Sequence, residues 1–196
     1  MKKLLIIAAG IALLMTGCNK EIPLTVNDRD GNTYKVIKIG KQVWMAQNLN
    51  VRTEDSWCYD DNPANCEKYG RLYTWDAAAK ACPEGWRLPS KDEWEDLFDA
   101  VGGSMSAAKK LKSTYGWKED DGESGNGTDD FAFTALPAGA RDKRVGSFDE
   151  GYITRFWSST EISADLLYNM GLSNSGSADL GSNGKSFGIS VRCIFD

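Results

Sequence analysis

Five cysteines and no histidine constrain this 196-residue chain more than any other feature. Cys18 stands apart near the N-terminus, which leaves Cys58, Cys66, Cys82 and Cys193. None of these forms a C-x-x-C pair, and without histidine a zinc site of the usual Cys/His kind is disfavoured. The same absence excludes a Ser-His-Asp or Cys-His nucleophilic mechanism. What the four cysteines do depends on the compartment. In an exported chain an even number reads as disulfides, and four allow three connectivities.

The N-terminus supplies the compartment. Lys2 and Lys3 open it, an apolar run follows from Leu4 to Met15, broken only by Gly10, and Thr16-Gly17 precede Cys18. That order is the one of an export signal, here residues 1–17. The run is too short to span a bilayer of ~30 Å as a helix. Small residues before a cysteine resemble the bacterial lipobox, in which the cysteine is acylated and becomes the mature N-terminus. Cys18 is thus the expected lipidation site and residues 18–23 a lipidated tether. The expected location is the bacterial envelope, with the outer membrane favoured and its face unassigned. Each acyl methylene contributes ~0.8 kcal/mol when buried, so several chains make the membrane a firm partner.

With 41% hydrophobic residues and seven tryptophans, residues 24–196 can bury one core and are expected to form one monomeric domain. The net charge of −5 becomes more negative once Lys2 and Lys3 leave with the signal. An acidic chain without a basic stripe is not built to hold nucleic acid. The one basic cluster, Arg141-Asp-Lys-Arg144, is interrupted by Asp142 and reads as a solvated turn.

Leu24–Val26, Thr33–Ile39 and Gln42–Met45 are rich in β-branched and aromatic residues, and Asp30-Gly31 and Gly40-Lys41 supply turns between them. They predict an antiparallel meander. Residues 53–69 read as a polar loop close enough in sequence for Cys58 and Cys66 to staple it. A helix is expected over 71–81, with Leu72, Trp75, Ala78 and Ala79 on one face. A second follows Ser90, where Glu93 completes an S-x-x-E capping box and Trp94, Leu97, Phe98 and Val101 recur at helical spacing. A shorter helix is expected over 105–111. Beyond an acidic glycine-rich loop at 119–130 lie strand-like pieces at 131–135, 155–158, 166–170 and 186–194. In the last of these, Phe187, Ile189, Val191 and Cys193 alternate with smaller or polar residues, as if one face were buried. Strands, then helices, then loop-rich strands predict an α+β class with short antiparallel sheets, two main helices and long loops.

Several phrases occur in a fixed order: Tyr69-Gly-Arg-Leu-Tyr-Thr-Trp75, Ala81-Cys-Pro-Glu-Gly-Trp-Arg-Leu-Pro-Ser90 with Glu93-Trp94, Ala135-Leu-Pro-Ala-Gly-Ala-Arg141, Phe156-Trp-Ser-Ser-Thr-Glu161 and Ser190-Val-Arg-Cys193. Together, over residues 30–196, they resemble the Fibrobacter succinogenes major paralogous domain, a family of exported bacterial proteins that includes many lipoproteins. That family is similar to C-type-lectin-like and formylglycine-generating-enzyme-like folds. The resemblance implies a C-type-lectin-like architecture and a disulfide from Cys82 to Cys193, which leaves Cys58 with Cys66.

It also frames the choice of function. Formylglycine generation uses two reactive cysteines with copper, and only Cys193 lies in the C-terminal part here, so an active redox pair does not carry over. No catalytic residues are assigned and no cofactor is expected. Asp120, Asp121, Asp129 and Asp130 gather hard oxygen ligands on a flexible loop and are weak calcium candidates. They lack the EF-hand order, and a solvated acidic loop is favoured over calcium. Trp157, Tyr168, Asn169, Asn174 and Asn183 fall in or beside a Gly/Ser/Asn-rich stretch that resembles binding loops, although the same composition makes turns. Trp57 and Trp117 adjoin loops and are candidates for exposed contacts. Arg87 and Arg192 read as structural partners of carboxylates. The expectation is a non-catalytic, envelope-anchored module that binds a glycan or an envelope protein. A structural, adhesin or appendage subunit and a diverged formylglycine-generating-enzyme-like enzyme are the alternatives.

Overall fold

The computed structural model describes residues 21–196, so the lipidation expected at Cys18 and the export signal lie outside the described residues. The chain begins with β1 (Thr25–Asn27), β2 (Thr33–Ile39) and β3 (Gln42–Met45), the expected meander. Next come β4 (Ser56–Trp57), a short 3-10 turn, α1 (Pro63–Tyr69), β5 (Leu72–Tyr73), α2 (Trp75–Ala78) and β6 (Trp86–Arg87). Then follow α3 (Lys91–Ala100), α4 (Ser104–Leu111), β7 (Ala140–Asp142), β8 (Gly146–Phe148), β9 (Ile153–Ser163), β10 (Leu166–Ser173), β11 (Ala178–Gly184) and β12 (Ile194–Phe195). Every pairing between these strands is antiparallel.

A five-stranded sheet in the order β1-β2-β3-β12-β6 brings the two ends of the chain together, and β9, β10 and β11 form a second sheet. Trp44, Trp94, Leu97, Phe98, Phe133, Phe156, Met170 and Leu172 make one core, in which the rings of Trp44 and Trp94 stack 4.8 Å apart. Leu49, Val51, Tyr73, Trp157, Ile189, Val191 and Cys193 make another. Two disulfides cross-link the domain: Cys58–Cys66 closes a separation of 8 residues, and Cys82–Cys193 closes one of 111. Disulfides fit an exported chain. Among the described residues no helix is long and apolar enough to cross a membrane.

Local chemistry explains where the elements agree with the sequence and where they depart. In α3 the Ser90 hydroxyl accepts from the Glu93 amide while the Glu93 carboxylate accepts from the Ser90 amide, the capping box read from the sequence. The helix expected over 71–81 shrinks to α2. Leu72 and Tyr73 instead pair with β4, and Tyr73 exchanges hydrogen bonds with Ile189, so tertiary pairing overrides the helical spacing. The loop expected over 53–69 contains α1, which starts on an Asn62 cap with Pro63 in its first turn. Residues 131–135 form no strand, because Ala132 and Thr134 take positive φ and the Asp129 carboxylate ties down the Thr134 amide and hydroxyl.

The segment 186–194 is not one strand with one buried face. It threads between elements, bridging Arg141 at Gly188, Tyr73 at Ile189 and Phe156 at Ser190, so Ser190 and Arg192 are as buried as Val191. Among the described residues the Arg192 guanidinium forms an ion pair with no carboxylate. It donates to the Asn48 side-chain oxygen and to the carbonyls of Met45 and Phe133, and it lies over the Phe133 and Phe156 rings.

Candidate functional site

The Gly/Ser/Asn-rich stretch is a regular hairpin rather than a set of display loops: β10 and β11 pair continuously from Leu166↔Gly184 to Leu172↔Ala178. Trp157 is fully buried and donates its indole N–H to the Tyr73 carbonyl at 2.7 Å, which removes it from contact with any ligand. Asn169 is also fully buried, its amide facing that of Asn183 at 2.9 Å. Asn183 accepts from Arg155 at 3.3 Å. Tyr168 is on the opposite face of the sheet from Asn169, half-buried, with the Lys91 amine 5.8 Å from its ring. Asn174 sits in the turn after β10 and donates to the Glu119 carbonyl. Of the five candidates the structure brings together Trp157, Asn169 and Asn183, the first two as cross-strand partners and the last two through their side-chain amides, and it leaves Tyr168 and Asn174 apart from them. Trp117 is buried too, its N–H shared between Ser113 and the Ala135 carbonyl, so it offers no exposed contact.

The four aspartates of the acidic loop do not converge either. Asp129 is engaged by Thr134, whereas Asp120 and Asp121 line a cleft of about 340 Å³ that also holds Lys109 and Lys112. Among the described residues no group of three or more His, Cys, Asp or Glu side chains is placed to hold a metal ion.

A different place has the geometry of a binding site. After β3 the chain runs through Ala46-Gln-Asn-Leu-Asn50 and packs directly beside Gly70. A Cβ at Gly70 would lie 2.7 Å from the Leu49 carbonyl oxygen, and its φ of +74° suits glycine. The close approach is fixed by hydrogen bonds from the Arg71 amide to the Leu49 carbonyl and from the Asn48 side chain to the Tyr69 carbonyl. Between these segments opens a cleft of about 420 Å³, within the range of small-molecule sites. Amide and hydroxyl side chains dominate its lining, among them Asn32, Gln47, Asn50 and Thr134, with the Tyr115 ring 55% exposed beside them. Its two charged residues, Glu67 and Lys68, are of opposite sign.

The wall of this cleft is rigid. The buried Tyr34 hydroxyl donates to Asp28 and accepts from the Asn50 amide at 2.9 Å. Burial and the adjacent Asp28 carboxylate both push the Tyr34 hydroxyl far above the ordinary tyrosine range, so it stays a donor. Burial likewise raises Tyr69, helped by the Glu150 carboxylate, which accepts a hydrogen bond from its hydroxyl. Inside this ordered frame one atom is left over: the side-chain oxygen of Asn50 is buried and has no hydrogen-bond partner. An unpaired buried acceptor costs about 1–3 kcal/mol. Sequence reading passed over this cleft because its residues are scattered. The nearest signal was the run of amide side chains Gln47, Asn48 and Asn50 directly after an apolar strand.

The family model described as Fibrobacter succinogenes major domain matches residues 37–194 of this chain, a span that includes both disulfides and the three-stranded sheet. No curated protein and no solved structure matches it.

Proposed function

The chain belongs to the Fibrobacter succinogenes major domain family, and we propose that it is a non-catalytic, lipid-anchored envelope protein whose domain binds a glycan in the cleft beside Gly70. Its lipid would be carried on Cys18 in a bacterial envelope membrane, the outer one being favoured by the same reading. The α+β arrangement of short antiparallel sheets with few helices is compatible with a C-type-lectin-like architecture.

The observation that carries the reading is the pairing of Asn50 with its surroundings. Asn50, whose side-chain oxygen is buried and unpaired, belongs to a lining of neutral amides and hydroxyls, with an exposed tyrosine ring beside it. Neutral hydrogen-bonding groups suit the hydroxyls of a sugar, and an aromatic ring gives a rigid surface for its apolar face. Of the two charged residues in the lining, Lys68 is paired with Glu150 at 3.6 Å, and neutral groups make up most of the remaining surface.

The test is binding of the mature protein to a glycan array, repeated with Tyr115→Ala and Asn50→Ala. Tyr115 is exposed, so its removal leaves the core intact. Saturable binding weakened at least tenfold by Tyr115→Ala is expected, equivalent to about 1.4 kcal/mol. Absence of saturable binding, or binding indifferent to both substitutions, would overturn the reading.

A further inference from the structure

A second cleft lies on the other side of the Cys58–Cys66 disulfide. Cys66 lines the amide-rich cleft, and Cys58 lines a neighbouring one of about 490 Å³ together with Arg52, Glu54, Trp57, Asp61 and Arg71. The Cα atoms of the two cysteines are 4.8 Å apart, so a single disulfide-closed turn is the partition between the clefts.

The charges of the second cleft are unequally used. Asp61 is neutralised by Arg141, which reaches both its carboxylate oxygens at 3.1 Å and stacks 5.3 Å from the Trp57 ring. Arg71 is not neutralised in this way. All its hydrogen bonds go to neutral acceptors: the Ser56 hydroxyl at 2.9 Å, the Ser56 carbonyl at 2.8 Å and the two disulfide sulfurs at 3.3 and 3.6 Å. These bonds hold the guanidinium rigid without answering its charge, and sulfur is a weak acceptor. Arg52 and Arg71 are matched in number by Glu54 and Asp61 along the lining, but with Asp61 taken by Arg141 the Arg71 guanidinium is a fixed cation that bonds only neutral acceptors. A planar guanidinium is suited to a carboxylate, and the neighbouring indole is suited to a sugar ring.

We infer that the glycan of the preceding section is an acidic one. A uronate residue would place its carboxylate against Arg52 and Arg71 and its ring beside Trp57, while a neighbouring residue crosses the disulfide turn into the amide-rich cleft. The inference rests on the glycan-binding reading of that first cleft and adds the charge of the ligand to it.

The test pairs uronate-containing glycans with their carboxyl-reduced counterparts, which keep the ring and lose only the charge. Each pair is titrated into the mature protein and into Arg52→Ala and Trp57→Ala, at low and high salt. Arg52 is exposed, so Arg52→Ala retains the fold and isolates the charge. The expected result is a preference of at least tenfold for the uronate glycan, reduced by Arg52→Ala and by salt, with affinity for both members of the pair lowered by Trp57→Ala. Equal binding of both members, still weakened by Tyr115→Ala, would overturn the acidic-ligand inference and leave the glycan-binding reading standing. Binding of neither member would overturn both.

Discussion

The guanidinium of Arg192 is held by the side-chain oxygen of Asn48, 144 positions earlier in the chain, and by backbone carbonyls rather than by a carboxylate. A fully buried cation is tolerated only where its hydrogen bonds are met, and burial pulls the Arg192 guanidinium below its usual range. Asn48→Leu removes the one side-chain acceptor and leaves the charge under-satisfied. The expected cost is about 3 kcal/mol, read as a drop in the urea midpoint. An unchanged midpoint would show that the carbonyls of Met45 and Phe133 suffice alone.

The two disulfides should differ in what they contribute. By loop-closure entropy, a cross-link over 111 residues stabilises by about 5 kcal/mol and one over 8 residues by about 2.5 kcal/mol. Paired Cys→Ser substitutions measured by denaturant unfolding should therefore hurt more at Cys82 and Cys193 than at Cys58 and Cys66. Thiol titration of the native protein should find none of the four free.

Glu93 serves two neighbours at once, closing the cap with Ser90 and pairing with both terminal nitrogens of Arg87. The Arg87 hydrogen bonds, opposed by burial and assisted by the Ser90 amide, hold its carboxyl below the ordinary 4.5. A depressed folded pKa means stability that is present above about pH 4.5 and is lost as the pH falls through the folded value. Glu93→Gln should thus destabilise by about 1 kcal/mol at pH 7, with the difference from wild type closing in acid. Thermal melts of the two proteins from pH 7 to pH 3 test this.

Lys112 also has a depressed pKa, but through burial of the charged form rather than through a partner. Its amine is buried, donates to the carbonyls of Ser173 and Asn174 and lies 4.8 Å from the Trp117 ring. Burial, with Lys109 nearby, brings it down to about 8 from 10.5. Between those values the unfolded chain holds a proton that the folded chain has released, so stability rises with pH across the window. Wild type should gain on the order of 2 kcal/mol over Lys112→Met between pH 8 and pH 10.5. The same comparison cancels the tyrosine ionisations common to both proteins.

Local signals were easy to read and long-range ones were not. The Ser90–Glu93 cap and the β2–β3 hairpin lie within a few residues of sequence, and each formed where its spacing put it. The helix over 71–81 failed because Tyr73 found Ile189, a partner no periodicity can announce. β11 was missed for a related reason. Ala-Asp-Leu-Gly-Ser-Asn-Gly has the composition of a turn, and only pairing with β10 makes it a strand. Exposed binding residues were sought in that same stretch, where Trp157 and Asn169 proved to be interior. The two clefts are assembled instead from the start of β2, the segments between β3 and β5, and Tyr115 and Thr134. Gly70 and Arg71, inside a phrase that marks the family, hold the backbone approach and the unneutralised guanidinium.

The position of β1 gives the domain a mechanical character. It is the outermost strand of its sheet and is held by three antiparallel pairs, Thr25↔Lys35 through Asn27↔Thr33. Tension arriving from the N-terminal end would load this three-pair ladder before any other pairing of the sheet. Beyond it the covalent bridge between Cys82 and Cys193 sets a hard stop, because the 111-residue loop it closes cannot lengthen between its two sulfurs. Both clefts draw most of their lining from the part of the chain ahead of that stop. A domain tugged between an N-terminal tether and a bound polymer would therefore yield first at β1, a compliant link in series with the grip.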